Sequence, residues 1–266
     1  MSKIKLLAEA LDYIENHLEE DIRTDDVARA CFCSRSTLEK MFKCINHITI
    51  REYLIRRRMM KAARDLWSDS ETGILEIAIK YGYQSNEAFT RAFKQVWFCQ
   101  PSEFRKIRNY TELFPRLKPF EDGDVYMNTR KQVDISELYD LFLKRRNCYF
   151  ICCDIKNLML INEVSHKAGD LAILEALRRI QKATGTNDVV FRIGGDEFVV
   201  LTDSTDQKYA DGIVQEIVNE NGKTFEFEEK TISLDLHVGL TRISKTPLKY
   251  DELFTELHTT IRNVKN

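Results

Sequence analysis

The stretch Val189–Leu201, VVFRIGGDEFVVL, places two glycines and two acids between two apolar runs. Each run has the length and the β-branched content of a short strand. The stretch therefore predicts a β-hairpin with Gly194, Gly195, Asp196 and Glu197 at its tip. Two interpretations of the tip stay open. A type I′ turn accounts for the glycines alone, whereas a nucleotide and metal site accounts for the glycines and the acids together.

The composition is that of a globular chain long enough for two domains. It has 266 residues, of which 43% are hydrophobic and 31% are charged. No apolar run approaches about 18 residues, so we expect no membrane span, and the N-terminal residues lack a signal-peptide pattern. The seven cysteines include no CxxC pair, which indicates reduced thiols rather than a zinc site. These features predict a cytoplasmic protein.

The charge is unevenly divided along the chain. Residues 1–110 carry 19 Lys and Arg against 16 Asp and Glu, and residues 111–266 carry 21 against 26. Basic residues concentrate in Arg51–Arg64, REYLIRRRMMKAAR, which predicts a local surface that attracts phosphates. An ordinary solvated helix face is the alternative interpretation of this run.

The first half contains an internal repeat, in which Asp25–Lys43 aligns with Leu75–Lys94. Each copy has the pattern of a helix, a tight turn and a second helix, which is typical of a helix-turn-helix unit. In the second copy, Gly82 is placed to end one helix and Ser85 to cap the next. The first copy has Phe32 in place of this glycine, so a turn with positive φ would be strained there.

Several stretches of the first half follow one known pattern. They are IENHLEEDIRTDDVARA, SRSTLEKMFK, IREYLIRRRMMKAARDLW, ILEIAIKYGYQSNEAFTRAFKQVW and PSEFRKIR. Through these stretches, residues 7–108 resemble the DNA-binding domain of AraC-family transcription regulators. The resemblance implies two recognition helices on one face, which enter successive major grooves of double-stranded DNA.

The outward positions of the two recognition helices are candidate contacts to base edges. Arg and Lys suit guanine, Asn suits adenine and Glu suits cytosine. The candidates are Arg35, Ser36, Glu39 and Lys40 in the first copy, and Asn86, Glu87, Thr90 and Arg91 in the second. Arg51 and the Arg56–Arg58 run, Arg57 included, are candidate phosphate contacts. Plain surface acids are the alternative interpretation of Glu39 and Glu87.

A change of pattern after Tyr110 divides the chain. Residues 111–133 contain Pro115, Pro119 and Gly123 and no apolar period, so they are predicted to form a linker. The predicted domains are residues 1–110, all-α, and residues 134–266. In the second domain a buried strand ends near Asp154, and a helix from about Ala168, the hairpin, a second helix, two strands and a closing helix follow. This order predicts an α+β fold with helices on a largely antiparallel sheet.

Spacing around the hairpin matches a second family. The matched residues are Arg192 and Gly194–Phe198 at the hairpin, Asp154, Ile161, Asn162, His166, Gly169 and Asp170 before it, and Asp251, Glu252, Arg262 and Asn263 after it. Tyr126–Arg130 weakly resembles the family's opening motif. Residues 148–266 thus resemble the GGDEF domain of diguanylate cyclases, which make cyclic di-GMP from two GTP molecules held by a dimer.

The resemblance implies a role for each matched position. Asp154 and Asp196 would bind Mg²⁺ with Glu197 beside them, and these three would be the catalytic residues of an active enzyme. Asn162 and Asp170 would recognise guanine, because a carboxylate accepts from both N1–H and the exocyclic amine. Gly194 and Gly195 would let phosphate approach the backbone. Arg262 would contact phosphate.

The sequence also departs from the family at charged positions. Lys156 replaces a second Asp, Met159 replaces a Lys, and His258 replaces the phosphate-binding Lys of the closing helix. At the product-inhibition motif Arg-x-x-Asp, the chain has Gly185 in place of the Arg and keeps Asp188. Phosphoryl transfer needs cations to spread the charge of the transition state, so these losses favour a binding domain over a catalyst.

Three hypotheses follow, and all of them keep DNA binding. In the first, the second domain has no catalytic residues and senses GTP, GDP or cyclic di-GMP, with Mg²⁺ as the associated ion. In the second, it is an active diguanylate cyclase controlled by DNA binding. In the third, it is a ligand-free dimerisation domain. A homodimer and RNA polymerase are further partners of such a regulator.

Overall fold

The computed structural model of the protein falls into two units, Met1–Asp134 and Ile135–Asn266. The residues it describes are 3–46, 48–107, 110–117, 135–243 and 249–265. Within this part of the chain, no helix is both long enough and apolar enough to cross a membrane.

The first unit is built from helices around one central helix. Its elements are α1 (Lys3–Asn16), α2 (Thr24–Ala30), α3 (Arg35–Asn46), α4 (Ile50–Ser68), α5 (Ile74–Lys80), α6 (Asn86–Trp97) and α7 (Pro101–Phe104). Helix α4 is the centre, since Met59, Met60, Ala63 and Leu66 are all fully buried. The pairs α2–α3 and α5–α6 are the two predicted helix-turn-helix units.

The turns of the two units have the same backbone shape despite their different residues. Gly82 has a φ of 79° and Phe32 has a φ of 52°, so both lie in the left-handed region. In each turn, the next residue donates to the carbonyl five positions earlier. Ser85 caps α6, since its side chain accepts from the Ala88 N–H at 3.2 Å. Phe32 therefore adopts a strained conformation that its glycine counterpart adopts freely.

The predicted linker begins inside the first unit, which corrects its N-terminal boundary. Residues 110–117, which we call the strap, pack on α4. Leu113, Phe114 and Leu117 are buried, and the Tyr110 hydroxyl donates to the Met60 carbonyl at 2.9 Å. The three apolar side chains cover the central helix, although their spacing has no helical or strand period. Residues 118–133, with the Tyr126–Arg130 stretch, lie outside the described residues.

The second unit is the predicted α+β fold. Its elements are α8 (Ser136–Lys144), β1 (Tyr149–Ile155), α9 (Leu158–Val164), α10 (His166–Ala183), β2 (Val189–Arg192), β3 (Glu197–Leu201), α11 (Gln207–Val218), β4 (Thr224–Phe227), β5 (Lys230–Ser233), β6 (Leu236–Arg242) and α12 (Tyr250–Lys265). The main sheet has the order β2-β3-β1-β6 with antiparallel neighbours, and β4 and β5 pair apart from it. Helix α10 begins at His166 rather than Ala168, and α9 precedes it.

The register of β1 with its two neighbouring strands places three polar residues at the same end of the sheet. Because β1 lies between β3 and β6, Asp154 is directly opposite Glu197 on one side and His237 on the other. All seven residues of β1 are buried. Opposed residues of antiparallel strands point to the same face, so two carboxylates and a histidine share one end of the sheet.

Candidate nucleotide site and nucleic-acid interface

The candidate base contacts of both recognition helices lie at the surface. Arg35, Ser36 and Lys40 are exposed on α3, and Glu39 is half-buried. On α6, Asn86, Glu87 and Arg91 are exposed and Thr90 is half-buried. The apolar side chains of the same helices, such as Leu38, Phe42, Phe89 and Phe93, are fully buried. The amphipathic pattern thus leaves one polar face of each helix available to DNA.

Arg35 has protein partners on this face. Its Nε donates to Glu39 Oε1 at 2.9 Å, and its Nη1 donates to Asp25 Oδ2 at 3.0 Å. The bond to Glu39, with the charges of Asp25 and Glu39, raises the pKa of Arg35. Two of the five N–H donors of Arg35 are thus used within the protein, and the others are available to a base edge.

Arg57 lies in the interior of the first unit, so the interpretation of this residue as a phosphate contact is wrong. Only 2% of Arg57 is exposed. Its guanidinium donates to Glu15 at 2.7 and 3.0 Å, to Glu112 at 2.5 Å and to the Phe114 carbonyl at 2.8 Å. Burial alone would lower the pKa of Arg57, but Glu15 and Glu112 raise it, so the charge is kept inside the fold.

The neighbours of Arg57 are also engaged within the unit. Arg58 is buried and donates to the carbonyls of Leu18, at 2.9 Å, and Glu20. Arg56 stacks over the ring of Phe114, with 4.4 Å from its guanidinium carbon to the ring centroid. Arg51, at the start of α4, is exposed and remains a candidate phosphate contact.

The second unit brings three predicted acids together at one end of the sheet. One carboxylate oxygen from each of Asp154, Asp196 and Glu197 lies within 4.8 Å of the others. Asp154 ends β1, Glu197 begins β3, and Asp196 is held beside them because its carbonyl accepts from the Ile155 N–H at 2.9 Å. Oxygen ligands in this number suit Mg²⁺, which normally completes its coordination with water and phosphate.

Two basic side chains of α12 lie against this acidic cluster. Lys265 Nζ lies 2.5 Å from Asp154 Oδ1, and His258 Nδ1 lies 3.0 Å from Glu197 Oε2. Burial and the charge of Asp196 raise the pKa of Asp154 to about 7, and Lys265 opposes this shift. His258, which stands at the family's phosphate-binding position, is thus turned towards an acid of its own chain.

The two glycines of the hairpin differ in the space that surrounds them. Neither Gly194 nor Gly195 has a positive φ, so the turn is not type I′. A Cβ at Gly194 would meet Glu197 Oε2 at 2.5 Å, whereas a Cβ at Gly195 would meet nothing within 4 Å. Arg192 braces the turn, since it donates to the carbonyls of both glycines, at 3.1 and 2.6 Å. Gly194 serves internal packing, and Gly195 leaves the backbone open to an approaching group.

The two predicted guanine-recognition residues lie on adjoining helices. Asn162, on α9, rests its amide against Gly169 of α10, where a Cβ would meet Asn162 Oδ1 at 1.9 Å. Asp170 follows Gly169 in the same helix. Both Asn162 and Asp170 are half-buried. Arg262 is exposed on α12, between His258 and Lys265.

The remnant of the product-inhibition motif is used for structure. Asp188 Oδ2 accepts from the Gly185 N–H at 2.8 Å and the Tyr209 hydroxyl at 2.6 Å, and its Oδ1 accepts from the Asp203 N–H at 2.9 Å. A Cβ at Gly185 would meet the Tyr209 oxygen at 2.5 Å. An arginine therefore cannot stand at Gly185 unless Tyr209 moves, and the acid of the motif is already engaged.

Sequence reasoning missed the role of Lys265, because this residue falls outside every matched motif. A signal was present in its spacing: Lys265 follows His258 by seven residues, which places both on one face of a helix. It also missed the pairing of Arg57 with Glu15 and Glu112, which depends on tertiary contacts between distant segments.

Two family models match the chain. Residues 27–107 match a helix-turn-helix domain, and residues 132–266 match the diguanylate cyclase GGDEF domain. The TetD protein of transposon Tn10 from Escherichia coli is 35% identical over 101 residues, which are 38% of this chain and 72% of TetD. The regulatory protein SoxS of Escherichia coli K12 is 31% identical over 105 residues, which are 40% of this chain and 97% of SoxS.

Solved structures resemble each half of the chain separately. An AraC-type transcriptional regulator from Chromobacterium violaceum, 28% identical, aligns with a TM-score of 0.36 over 38% of this chain and 89% of its own. A GGDEF family protein from Caulobacter crescentus CB15, 19% identical, aligns with a TM-score of 0.41 over 49% and 85%. Both TM-scores are below 0.5, so the family assignment rests on the sequence matches alone. On the family matches and the relatives, the chain belongs to the AraC-type helix-turn-helix regulators through its first unit and to the GGDEF domain family through its second.

Proposed function

We propose that the second unit binds a guanine nucleotide and that the bound nucleotide changes the affinity of the first unit for DNA. GTP, GDP and cyclic di-GMP are the candidate ligands, with Mg²⁺ as the accompanying ion. In this proposal the nucleotide alters how two second units pair in a homodimer, which changes the spacing of two DNA-binding units. A coupling of about 1–3 kcal/mol is typical of such a switch.

The observation that carries the proposal is a contrast between the two sides of the site. On the base side, Asn162 is packed against Gly169, and Asp170 follows Gly169 in α10. An amide and a carboxylate suit the donors of guanine. On the phosphate side, Met159 is 78% exposed and uncharged, and His258 is directed to Glu197. The residues that would recognise the base are present, whereas the positive charge that would stabilise phosphoryl transfer is reduced.

The residues present fit a divalent cation. Asp154 is buried, and its Oδ1 has no aligned hydrogen-bond donor although Lys265 lies close to it. Asp154 and Asp196 would hold the ion, with Glu197 beside them, and the open backbone at Gly195 would receive phosphate. Bound there, Mg²⁺ would offset the negative charge of the phosphates.

A diguanylate cyclase is the second candidate function. The assembled cluster of Asp154, Asp196 and Glu197 favours it, since an active enzyme would need these three acids. The missing lysines at Met159 and His258 count against it. Any cyclic di-GMP would bind at the cluster rather than at Asp188, because that acid is already engaged by three donors.

The test is a calorimetric titration of the full chain with GTP and Mg²⁺, followed by chromatography of the recovered nucleotide. Binding with GTP intact supports a nucleotide sensor. Conversion to cyclic di-GMP would identify an enzyme and overturn the interpretation of Met159 and His258. Absence of binding to GTP, GDP and cyclic di-GMP alike would refute nucleotide sensing and favour a ligand-free dimerisation domain.

A further inference from the structure

Helix α12 carries three basic residues on one face, and two of them contact the acidic cluster. His258, Arg262 and Lys265 follow one another at intervals of four and three residues, so they share one helical face. The first and last of these contact acids, His258 at Glu197 and Lys265 at Asp154. Lys265 lies outside the GGDEF motif residues, so family membership assigns it no role.

Lys265 makes its contact with a buried carboxylate. The side chain of Asp154 is 4% exposed and that of Lys265 is 25% exposed. A buried carboxylate is costly without a nearby positive charge, and here a second acid, Asp196, lies beside it. The ammonium of Lys265 therefore supplies the charge that a divalent cation would otherwise supply.

The contact is close but poorly directed. Lys265 Nζ is 2.5 Å from Asp154 Oδ1, yet this oxygen has no aligned hydrogen bond in the described structure. His258 Nδ1 likewise lies 3.0 Å from Glu197 Oε2 without an aligned bond. Lys265 therefore supplies one positive charge to the cluster but no aligned donor to Asp154 Oδ1, and a metal ion would supply both charge and a bond to this oxygen.

A glycine on β6 allows the C-terminal end of α12 to pack close to the sheet, near the acidic cluster. A Cβ at Gly239 would meet Val264 Cγ1 at 2.8 Å and Thr260 Cγ2 at 3.2 Å, so the last turn of α12 lies directly on the strand. Strand β6 pairs with β1, which carries Asp154. Gly239 thereby holds Lys265 next to the cluster.

We propose that Lys265 is an internal counter-cation of the acidic cluster, and that a divalent cation binds Asp154 and Asp196 only by displacing its ammonium. The inference rests on the proposed function in one respect, namely that this cluster is the metal side of the nucleotide site.

The experiment titrates the full chain with Mn²⁺ alone and measures free Mn²⁺ by electron paramagnetic resonance. Lys265→Met removes the charge and keeps the length of the side chain, so Mn²⁺ affinity should rise about tenfold or more. Lys265→Gln, a second neutral variant, should behave alike, and Lys265→Arg should stay near the wild type. The matched control is Lys182→Met, which removes an exposed lysine that pairs with Glu220 on the same unit.

The outcomes separate this inference from the proposed function. Unchanged or weaker Mn²⁺ binding in both neutral variants would overturn the inference, and so would absence of Mn²⁺ binding in every chain. If Lys182→Met raised the Mn²⁺ affinity as much as the neutral Lys265 variants do, the effect would be one of general charge, and this result would also overturn the inference. If Mn²⁺ affinity rises as expected while GTP with Mg²⁺ does not bind, the inference stands and the proposed function fails.

Discussion

At the scale of single residues, Arg57 shows that an arginine in a basic run can be buried and can link distant segments of the fold. Its guanidinium joins α1, through Glu15, to the strap, through Glu112 and the Phe114 carbonyl. The side chains of Arg57 and Glu15 are 3% and 7% exposed, so neither charge has water as a substitute partner. Sequence could not reveal this role, because buried and exposed arginines look alike until distant segments are brought together.

Replacing Arg57 with Met should destabilise the first unit by about 3–5 kcal/mol, because Glu15 would remain buried without its partner. Urea unfolding followed by circular dichroism measures this change. Arg51→Met is the control, since Arg51 is exposed and its loss should change stability by less than about 0.5 kcal/mol. Equal stability of the two variants would contradict the buried role of Arg57.

Phe32 and Gly82 offer a matched pair at equivalent positions of the two turns. Phe32 is 95% exposed with a φ of 52°, so Phe32→Gly should stabilise the first unit by about 1 kcal/mol by relieving backbone strain. Gly82→Ala should destabilise it by about as much, since an added Cβ meets only ordinary contacts near Arg58 but φ is 79°. Thermal unfolding measures both changes. A loss of stability in Phe32→Gly would show that the ring contributes more than the strain costs.

At the scale of elements, the helices of the two helix-turn-helix units were predictable from the sequence and the strap was not. Apolar period, the glycine stop and the serine cap predict α5 and α6, and the repeat predicts α2 and α3. The strap has neither helical nor strand period, so its packing on α4 follows only from tertiary contacts. The hairpin was predicted, but its turn type was not, because Gly194 serves a contact with Glu197 rather than a positive φ.

Recognition helices α3 and α6 should each contribute to DNA affinity. Lys40→Ala and Arg91→Ala should each weaken binding by about 1–3 kcal/mol if their side chains contact base edges, and should relax the sequence preference at one position. Fluorescence anisotropy with DNA selected from a random pool measures both effects. Lys208→Ala, an equal loss of charge on α11, is the control. An effect of Lys208→Ala as large as that of the two recognition-helix variants would point to non-specific attraction instead.

The two hairpin glycines should respond differently to the same substitution. Gly194→Ala forces a Cβ against Glu197 and should lower the stability of the second unit by about 1–3 kcal/mol. Gly195→Ala adds a Cβ in open space and should leave stability unchanged, while it narrows the approach of phosphate to the backbone and weakens nucleotide binding. Thermal unfolding and calorimetric titration with GTP and Mg²⁺ separate the two effects. Unchanged nucleotide affinity in Gly195→Ala would remove Gly195 from the site.

At the scale of the whole molecule, motif spacing predicted the two folds and the acids that meet at the end of the sheet. Asp154, Asp196 and Glu197 come together because strands β1 and β3 are antiparallel neighbours in register. The cations that face these acids could not be predicted as readily, since the packing of α12 on Gly239 sets their position. We propose from this site that the nucleotide state of the second unit controls DNA binding by the first.

That claim is tested most directly by the affinity of the full chain for its selected DNA, measured with and without GTP and Mg²⁺. The wild type should change its affinity by roughly 5- to 150-fold on adding nucleotide. The double variant Asp154→Ala with Asp196→Ala should bind DNA as the nucleotide-free wild type does and should not respond. If the wild type shows no response, or if the double variant still responds, the account of this site as the regulatory nucleotide site is contradicted.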